Sequence, residues 1–125
     1  MAFNRELSIL ASAARTATTT SDAVRLHHAV AMHVIINVTA VASTPSVVPT
    51  IQGFDSTSGV YYDLLVGNAI TATGTTVLKI GLGMAASANA SAQDLIPHTI
   101  RVKMTHADSD SITYSVGCNV TEPGD

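Results

Sequence analysis

A run of alternating apolar residues in the first third of the chain constrains the fold more than any other feature. From Val24 to Ala40 nearly every even position is apolar, and the odd positions are mostly small or polar. A period of two is typical of a β-strand with one face against a core. Since most strands span about 3–10 residues, a run of this length predicts a break near residues 29–31, or a first half that pairs outside the main sheet.

Shorter segments with the same alternation follow, and clusters of Gly, Pro, Ser, Thr and Asp separate them. They predict an all-β chain, for which an antiparallel β-sandwich and a small barrel are the alternatives. We favour the sandwich, jelly-roll-like or immunoglobulin-like, with six to eight short strands. A long loop interrupts the pattern at residues 81–96. The predicted strands after the first run are residues 47–54, 60–66, 75–80, 99–106 and 112–120.

The two ends of the chain lack this pattern. Residues 1–22 are predicted to be an extended N-terminal arm, residues 23–121 the sandwich domain, and residues 122–125 a C-terminal tail. Within the arm, Phe3, Leu7 and Leu10 have the spacing of one or two helical turns after Asn4. The Thr-rich stretch that follows is typical of a segment that lies extended on another surface, and a loose terminus is the alternative.

The composition excludes several classes of function. Charged residues make up 12 % of the chain, about half of the usual share of about 25 %. A net charge of −3 with six Lys and Arg residues predicts no nucleic-acid binding, which needs a basic surface. No window approaches the roughly 20 apolar residues that span a membrane. A surface with so few charges predicts extensive contact with partner proteins in an assembly.

No pattern of side chains predicts catalysis or metal binding. His27 and His33 share a strand face but lie roughly 20 Å apart at the rise of a strand, so they cannot share one ion. His28 is predicted to face inward as a core or interface residue. Asp108 and Asp110 lack the Gly and the distal Glu of a calcium loop. The sequence therefore predicts no enzyme, no metal and no cofactor, and it predicts Cys118 to be a buried structural thiol.

Several phrases of the chain resemble small virion proteins of tailed bacteriophages. The likeness extends over residues 33–120, and capsid decoration (cement) proteins are the best-understood role among such proteins. The phrases are Thr50-Ile-Gln-Gly-Phe-Asp55, Gly59-Val-Tyr-Tyr-Asp-Leu-Leu65, Ala69-Ile-Thr-Ala-Thr-Gly-Thr-Thr-Val-Leu78, Thr99-Ile-Arg-Val102 and His106-Ala-Asp-Ser-Asp-Ser-Ile-Thr-Tyr-Ser-Val-Gly117.

The resemblance implies a virion protein on the capsid exterior that bridges neighbouring subunits of the major capsid protein, often as a homotrimer. Alternatives are a head–tail connector or a tail component, and a carbohydrate-binding module. The last would need a row of exposed aromatic side chains, and only 4 % of the residues are aromatic. The residues expected to contact the partner are Phe3, Leu7, Leu10, Arg15, Thr18, Thr19, Leu26 and His28.

Overall fold

The computed structural model of the chain describes residues 2–123, which form ten β-strands and no helix. Seven of the strands have seven or more residues and the other three have two each, so the total exceeds the predicted six to eight. The strands are β1 (Ala2–Arg15), β2 (Thr19–Thr20), β3 (Val24–Arg25), β4 (Ala31–Val41), β5 (Val47–Asp55), β6 (Val60–Val66), β7 (Gly74–Gly81), β8 (Ser91–Ala92), β9 (Thr99–His106) and β10 (Ile112–Pro123).

The strands form two sheets. Sheet A has the order β1-β10-β4-β7-β8, and sheet B has the order β2-β9-β5-β6, with β3 also paired to β9. Every pairing is antiparallel except β7 with β8. The predicted all-β class is therefore confirmed, and the two mostly antiparallel sheets are consistent with a β-sandwich.

The core lies between the two sheets, and alternation of burial along the strands places it there. In β4, Met32, Val34, Ile36 and Val38 are at most 3 % exposed, while the residues between them are half-buried or exposed. Strand β10 has the same alternation, and its Tyr114 is completely buried. Burial of a large apolar side chain contributes about 1.5–3 kcal/mol, so these two central strands supply much of the stability of the sandwich.

The predicted break in the long alternating run is confirmed. Val24 and Arg25 form β3 in sheet B, whereas β4 begins at Ala31 in sheet A. The chain crosses between the sheets over residues 26–30. Leu26 follows β3 directly and is only 1 % exposed, so its side chain anchors this crossing in the core.

The predicted N-terminal arm is a strand instead. Residues 2–15 pair with β10 from Ala2 opposite Pro123 to Arg15 opposite Ile112, so they are the edge strand of sheet A. The predicted helical turn after Asn4 is wrong. Strand β2 then joins sheet B through β9, so the segment after β1 is also part of the fold.

The first two residues of the predicted C-terminal tail belong to a sheet. Strand β10 continues to Pro123, and Glu122 is buried. The last two residues of the predicted tail, 124 and 125, lie outside the described residues. The predicted boundary between domain and tail at residues 121 and 122 therefore falls inside a strand.

Candidate interaction surface

Strand β1 carries four of the residues predicted to contact a partner, of which three are apolar. Leu7 and Leu10 are half-buried and pack against the core, so their apolar surface is largely used within the chain. Phe3 lies at the start of the strand and is 54 % exposed. Of the three, Phe3 alone presents most of its side chain to a partner.

The free edge of β1 is a second feature of this strand. β1 pairs with β10 on one side, and no strand among residues 2–123 pairs with its other side. The register is regular from Ala2 to Ser8 and then shifts twice, between Ser8 and Leu10 and between Leu10 and Ala13. β-bulges of this kind make an edge unsuitable for a straight partner strand. Residues 2–8 are therefore the part of the edge that can accept one.

Arg15 is occupied within the chain. Its guanidinium donates hydrogen bonds to the carbonyl oxygens of Ala11 at 2.6 Å, Ala13 at 3.2 Å and Tyr114 at 2.7 Å. The guanidinium carbon also lies 4.6 Å from the centre of the Tyr114 ring, which is within cation–π range. Arg15 therefore fixes the bulged end of β1, where the chain leaves sheet A, and has little capacity left for a partner.

Thr18 and Thr19 have internal contacts as well. The hydroxyl oxygen of Thr18 accepts a hydrogen bond from the backbone N–H of His106 at 3.1 Å. Thr19 lies opposite Met104 in the pairing of β2 with β9. The two threonines hold the crossing from β1 to sheet B against the end of β9.

The last two predicted contact residues differ from expectation. Leu26 is buried in the core, so it is not available to a partner. His28 is exposed instead of inward-facing, because the strand breaks here and its backbone has a φ of 54°. Its ring lies edge-on to that of His98 at a centroid distance of 5.4 Å. His28 remains accessible at the same end of the sandwich as Phe3.

An ion pair that the sequence analysis missed closes this end of sheet A. The Nε and Nη2 atoms of Arg5 donate to the two carboxylate oxygens of Glu122 at 2.8 and 2.9 Å. The same carboxylate accepts a hydrogen bond from the backbone N–H of His27, and Arg5 also donates to the carbonyl oxygen of Arg25 at 3.2 Å. We call this group the Arg5–Glu122 clasp. It joins β1, β10 and the crossing after β3.

The clasp determines the ionisation of Glu122. Burial favours the neutral acid, but the hydrogen bonds from His27 and Arg5 and the charge of Arg5 outweigh this effect. The pKa of Glu122 therefore lies below its ordinary value. No sequence motif reveals this group, since its two charged members are 117 residues apart.

Three of the nine exposed large apolar residues lie at the end of the sandwich that holds the clasp. Phe3 lies opposite Glu122, the N–H of Val30 donates to the carbonyl of Thr121, and the N–H of Leu82 donates to the carbonyl of Val30. These residues thus follow one another across the ends of adjacent strands. Phe3, Val30 and Leu82, which we call the apolar rim, are 54 %, 44 % and 68 % exposed.

The outer face of sheet A beside β1 has two shallow depressions of about 530 and 490 Å³. Both are lined mainly by small or polar side chains, among them Asn4, Ala31, Ser115 and Gly117. Side chains of this size leave the sheet backbone close to the surface. The face therefore offers a partner shape and hydrogen-bonding groups, and the carboxylate of Glu6 lines both depressions.

Other chemistry is sparse in residues 2–123. This range contains no group of three or more His, Cys, Asp or Glu side chains placed to hold a metal ion. It also contains no helix long and apolar enough to cross a membrane. Cys118 is 2 % exposed, and burial raises the pKa of its thiol to about 11.

Comparison of the chain with protein-family models, with curated proteins and with solved structures finds no match. The candidate interaction surface therefore rests on the structure of this chain alone.

Proposed function

We propose that the chain is a non-enzymatic structural virion protein that binds the outside of a bacteriophage capsid and bridges neighbouring capsid subunits. Its core would be a sandwich of jelly-roll or immunoglobulin type. Binding to the assembled shell in preference to free subunits stabilises the shell by mass action. The partner in this proposal is the major capsid protein, and the protein acts as a homotrimer on the capsid exterior.

The free edge of β1 over residues 2–8 is the observation that carries this proposal. An unpaired strand edge presents a row of backbone donors and acceptors, and addition of a partner strand satisfies them. Because Phe3 and the rest of the apolar rim lie at the start of this edge, a docked strand also buries apolar surface. Two kinds of contact, one backbone and one apolar, then bind the same partner.

The small number of charged groups on the outer face of sheet A beside β1, where Glu6 is the acidic residue in both depressions, supports the proposal. Partners that meet in a regular lattice bury wide surfaces, and charged groups are depleted in the fully buried parts of interfaces. On this face the small side chains between β1 and β4 let a neighbouring subunit approach closely.

The edge can be tested by placing charge on it. We expect the double variant Phe3→Lys/Ser8→Lys to remain folded, because both residues are exposed, and to lose binding to shells assembled from the major capsid protein of the same phage. Lysines on an edge oppose strand addition. Cosedimentation of purified protein with shells measures the loss.

The control variant Thr71→Lys/Thr73→Lys adds the same charge to exposed positions in the loop before β7. It should bind as the wild type does. Equal binding by the edge variant and the wild type would refute the role of β1. Deletion of residues 1–22 is not a suitable test, because it removes β1 and β2 and uncovers β10.

The stoichiometry distinguishes the alternatives. A decoration protein binds in proportion to the capsid subunits, whereas a head–tail connector or tail component occurs as a small ring at one vertex.

Light scattering of the free protein tests the trimer. A monomer that stays monomeric on the shell would contradict the trimer.

A further inference from the structure

Arg101 lies on the outer face of sheet B in a fixed position. Its guanidinium carbon lies 3.7 Å from the centre of the Tyr61 ring, and its Nε donates to the side-chain oxygen of Gln52 at 2.7 Å. The Phe54 ring packs against Tyr61 at a centroid distance of 4.9 Å. A long side chain with this support loses little further conformational freedom when it binds a partner.

Gln52 and Asp63 support Arg101 from the neighbouring strands. Gln52 is 8 % exposed, and its amide nitrogen donates to a carboxylate oxygen of Asp63 at 2.9 Å. This bond orients the amide so that its oxygen faces Arg101. The contacts of Gln52, Asp63 and Tyr61 therefore fix the position and the orientation of the Arg101 guanidinium.

The terminal nitrogens of Arg101 remain available. Guanidinium has five N–H donors, and the Nε donor is the one bonded to Gln52. Among residues 2–123 no acceptor is bonded to its two Nη atoms. A pair of parallel N–H groups matches the two oxygens of a carboxylate.

The charge of this face differs from that of the whole chain. Arg25, Arg101 and Lys103 lie on the outward side of β3 and β9, and they are three of the six Lys and Arg residues in a chain of net charge −3. On the facing strands, Asp63 is bonded to the network and Asp55 to its own turn. Asp22 is exposed between β2 and β3, which flank β9, so the charges of this face nearly balance. The free Nη pair of Arg101 is therefore the feature that favours a carboxylate here.

We infer that the outer face of sheet B binds an acidic segment of the partner protein, with a carboxylate seated on the Nη atoms of Arg101. Arg and Tyr are the residue types that most often dominate the energy of protein interfaces. One face of the Tyr61 ring is covered by Arg101, so the ring is better suited to hold Arg101 than to stack on a sugar. This inference rests on the proposed function and names the chemistry of the partner: acidic side chains on the capsid surface.

The test uses two peptides as probes, acetylated hexaglutamate and hexaglutamine. We expect the Nε–Hε resonance of Arg101 in isotope-labelled wild-type protein to shift with hexaglutamate and to stay unchanged with hexaglutamine. Equal responses to the two peptides would overturn the inference, and so would an equal response to inorganic phosphate, which would indicate a general anion site. This measurement needs no variant.

Two variants separate the guanidinium geometry from simple charge. Arg101→Lys keeps the charge and loses the paired donors, so hexaglutamate affinity should fall about tenfold or more. Lys103→Gln removes one charge from the same strand and face, and its affinity should fall less than about threefold. A larger loss in Lys103→Gln than in Arg101→Lys would refute the role of the guanidinium. Thermal unfolding of both variants verifies that they fold.

Shell binding distinguishes this inference from the proposed function. If wild-type and Arg101→Lys proteins bind shells equally, the inference fails and the proposed function stands. If the wild type binds hexaglutamate through Arg101 but does not bind shells, the proposed function fails, and the acidic-segment site is retained for a different partner.

Discussion

The Arg5–Glu122 clasp gives the sharpest prediction of stability. The variant Glu122→Gln keeps the shape of the side chain and removes its charge. The amide oxygen can still accept the hydrogen bond from the backbone N–H of His27. The neutral amide cannot accept hydrogen bonds from both N–H donors of Arg5, as the carboxylate does. We therefore expect the variant to fold and to be less stable, with the loss located where the two terminal strands meet.

The exposure of the two side chains sets the size of the effect. Breaking a buried ion pair costs about 3–5 kcal/mol, and an exposed pair contributes about 0–1 kcal/mol. The side chain of Glu122 is 10 % exposed and that of Arg5 is 38 % exposed, so the clasp lies between these limits. We expect the free energy of unfolding to fall by about 2 kcal/mol at pH 7, which corresponds to about 8 °C in Tm for a chain of 125 residues.

The pH dependence identifies the charged group. Because the pKa of Glu122 is lower in the folded state than in the unfolded state, its contribution is fully present above the unfolded pKa of about 4.3. The contribution is lost as the pH falls through the lower, folded pKa. The difference between wild type and Glu122→Gln should therefore be constant at neutral pH and shrink below about pH 4.

Urea unfolding followed by far-ultraviolet circular dichroism measures the difference, since the chain has no Trp for fluorescence. Glu6→Gln is the matched control, because Glu6 is an exposed carboxylate on β1, next to Arg5 in sequence. Arg5→Gln completes a double-mutant cycle, in which the effect of Glu122→Gln should be smaller when Arg5 is absent. Equal stability of Glu122→Gln and wild type at pH 7, or a difference that persists at about pH 2, would refute this account of the clasp.

Three further predictions concern the core and one close contact. With a thiol pKa of about 11, Cys118 should resist a thiol reagent at pH 8 in the native protein and react fully in denaturant, and rapid native labelling would contradict its burial. Tyr114→Phe removes the hydroxyl that lies 3.0 Å from Nε2 of His106, so urea unfolding should show a loss of about 1 kcal/mol; unchanged stability would show that this bond contributes nothing. Gly53→Ala places a Cβ 2.7 Å from Cγ of Pro97, and calorimetry should show a loss of about 1–3 kcal/mol, whereas an unchanged Tm would mean that the Pro97 loop moves freely.

The central strands could be predicted from the sequence because one face of each is buried. In β4 the even residues from Met32 to Val38 are buried and the residues between them are not. The alternation of apolar with other residue types in the sequence therefore matches the alternation of burial. The break before β4 was predictable from length alone. His28 was assigned to the wrong side because a strand period cannot be extended through a residue with positive φ.

Strand β1 was missed for a physical reason. Its half-buried apolar residues are Leu7, Ile9 and Leu10, whereas Ala13 is exposed. Two bulges, between Ser8 and Leu10 and between Leu10 and Ala13, interrupt the period of two. The spacing of three from Leu7 to Leu10 is also the spacing of a helix face. The pattern therefore predicted a helical turn where the structure has a bulged edge strand.

The pairing of β1 with β10 connects stability to the proposed function. Arg5 on β1 and Glu122 on β10 are 117 residues apart. Closing the loop between these two strands costs roughly 4 kcal/mol in chain entropy, and contacts so distant in sequence form late in folding. The clasp offsets part of that cost at the end where β1 is regular and carries its free edge. A partner that adds a strand to residues 2–8 binds only chains in which β1 is docked, so it stabilises the docked state by mass action. If the proposed strand addition takes place, Glu122→Gln should weaken it without a direct contact to the partner. The loss of affinity should not exceed the loss in the fraction of chains whose β1 is docked.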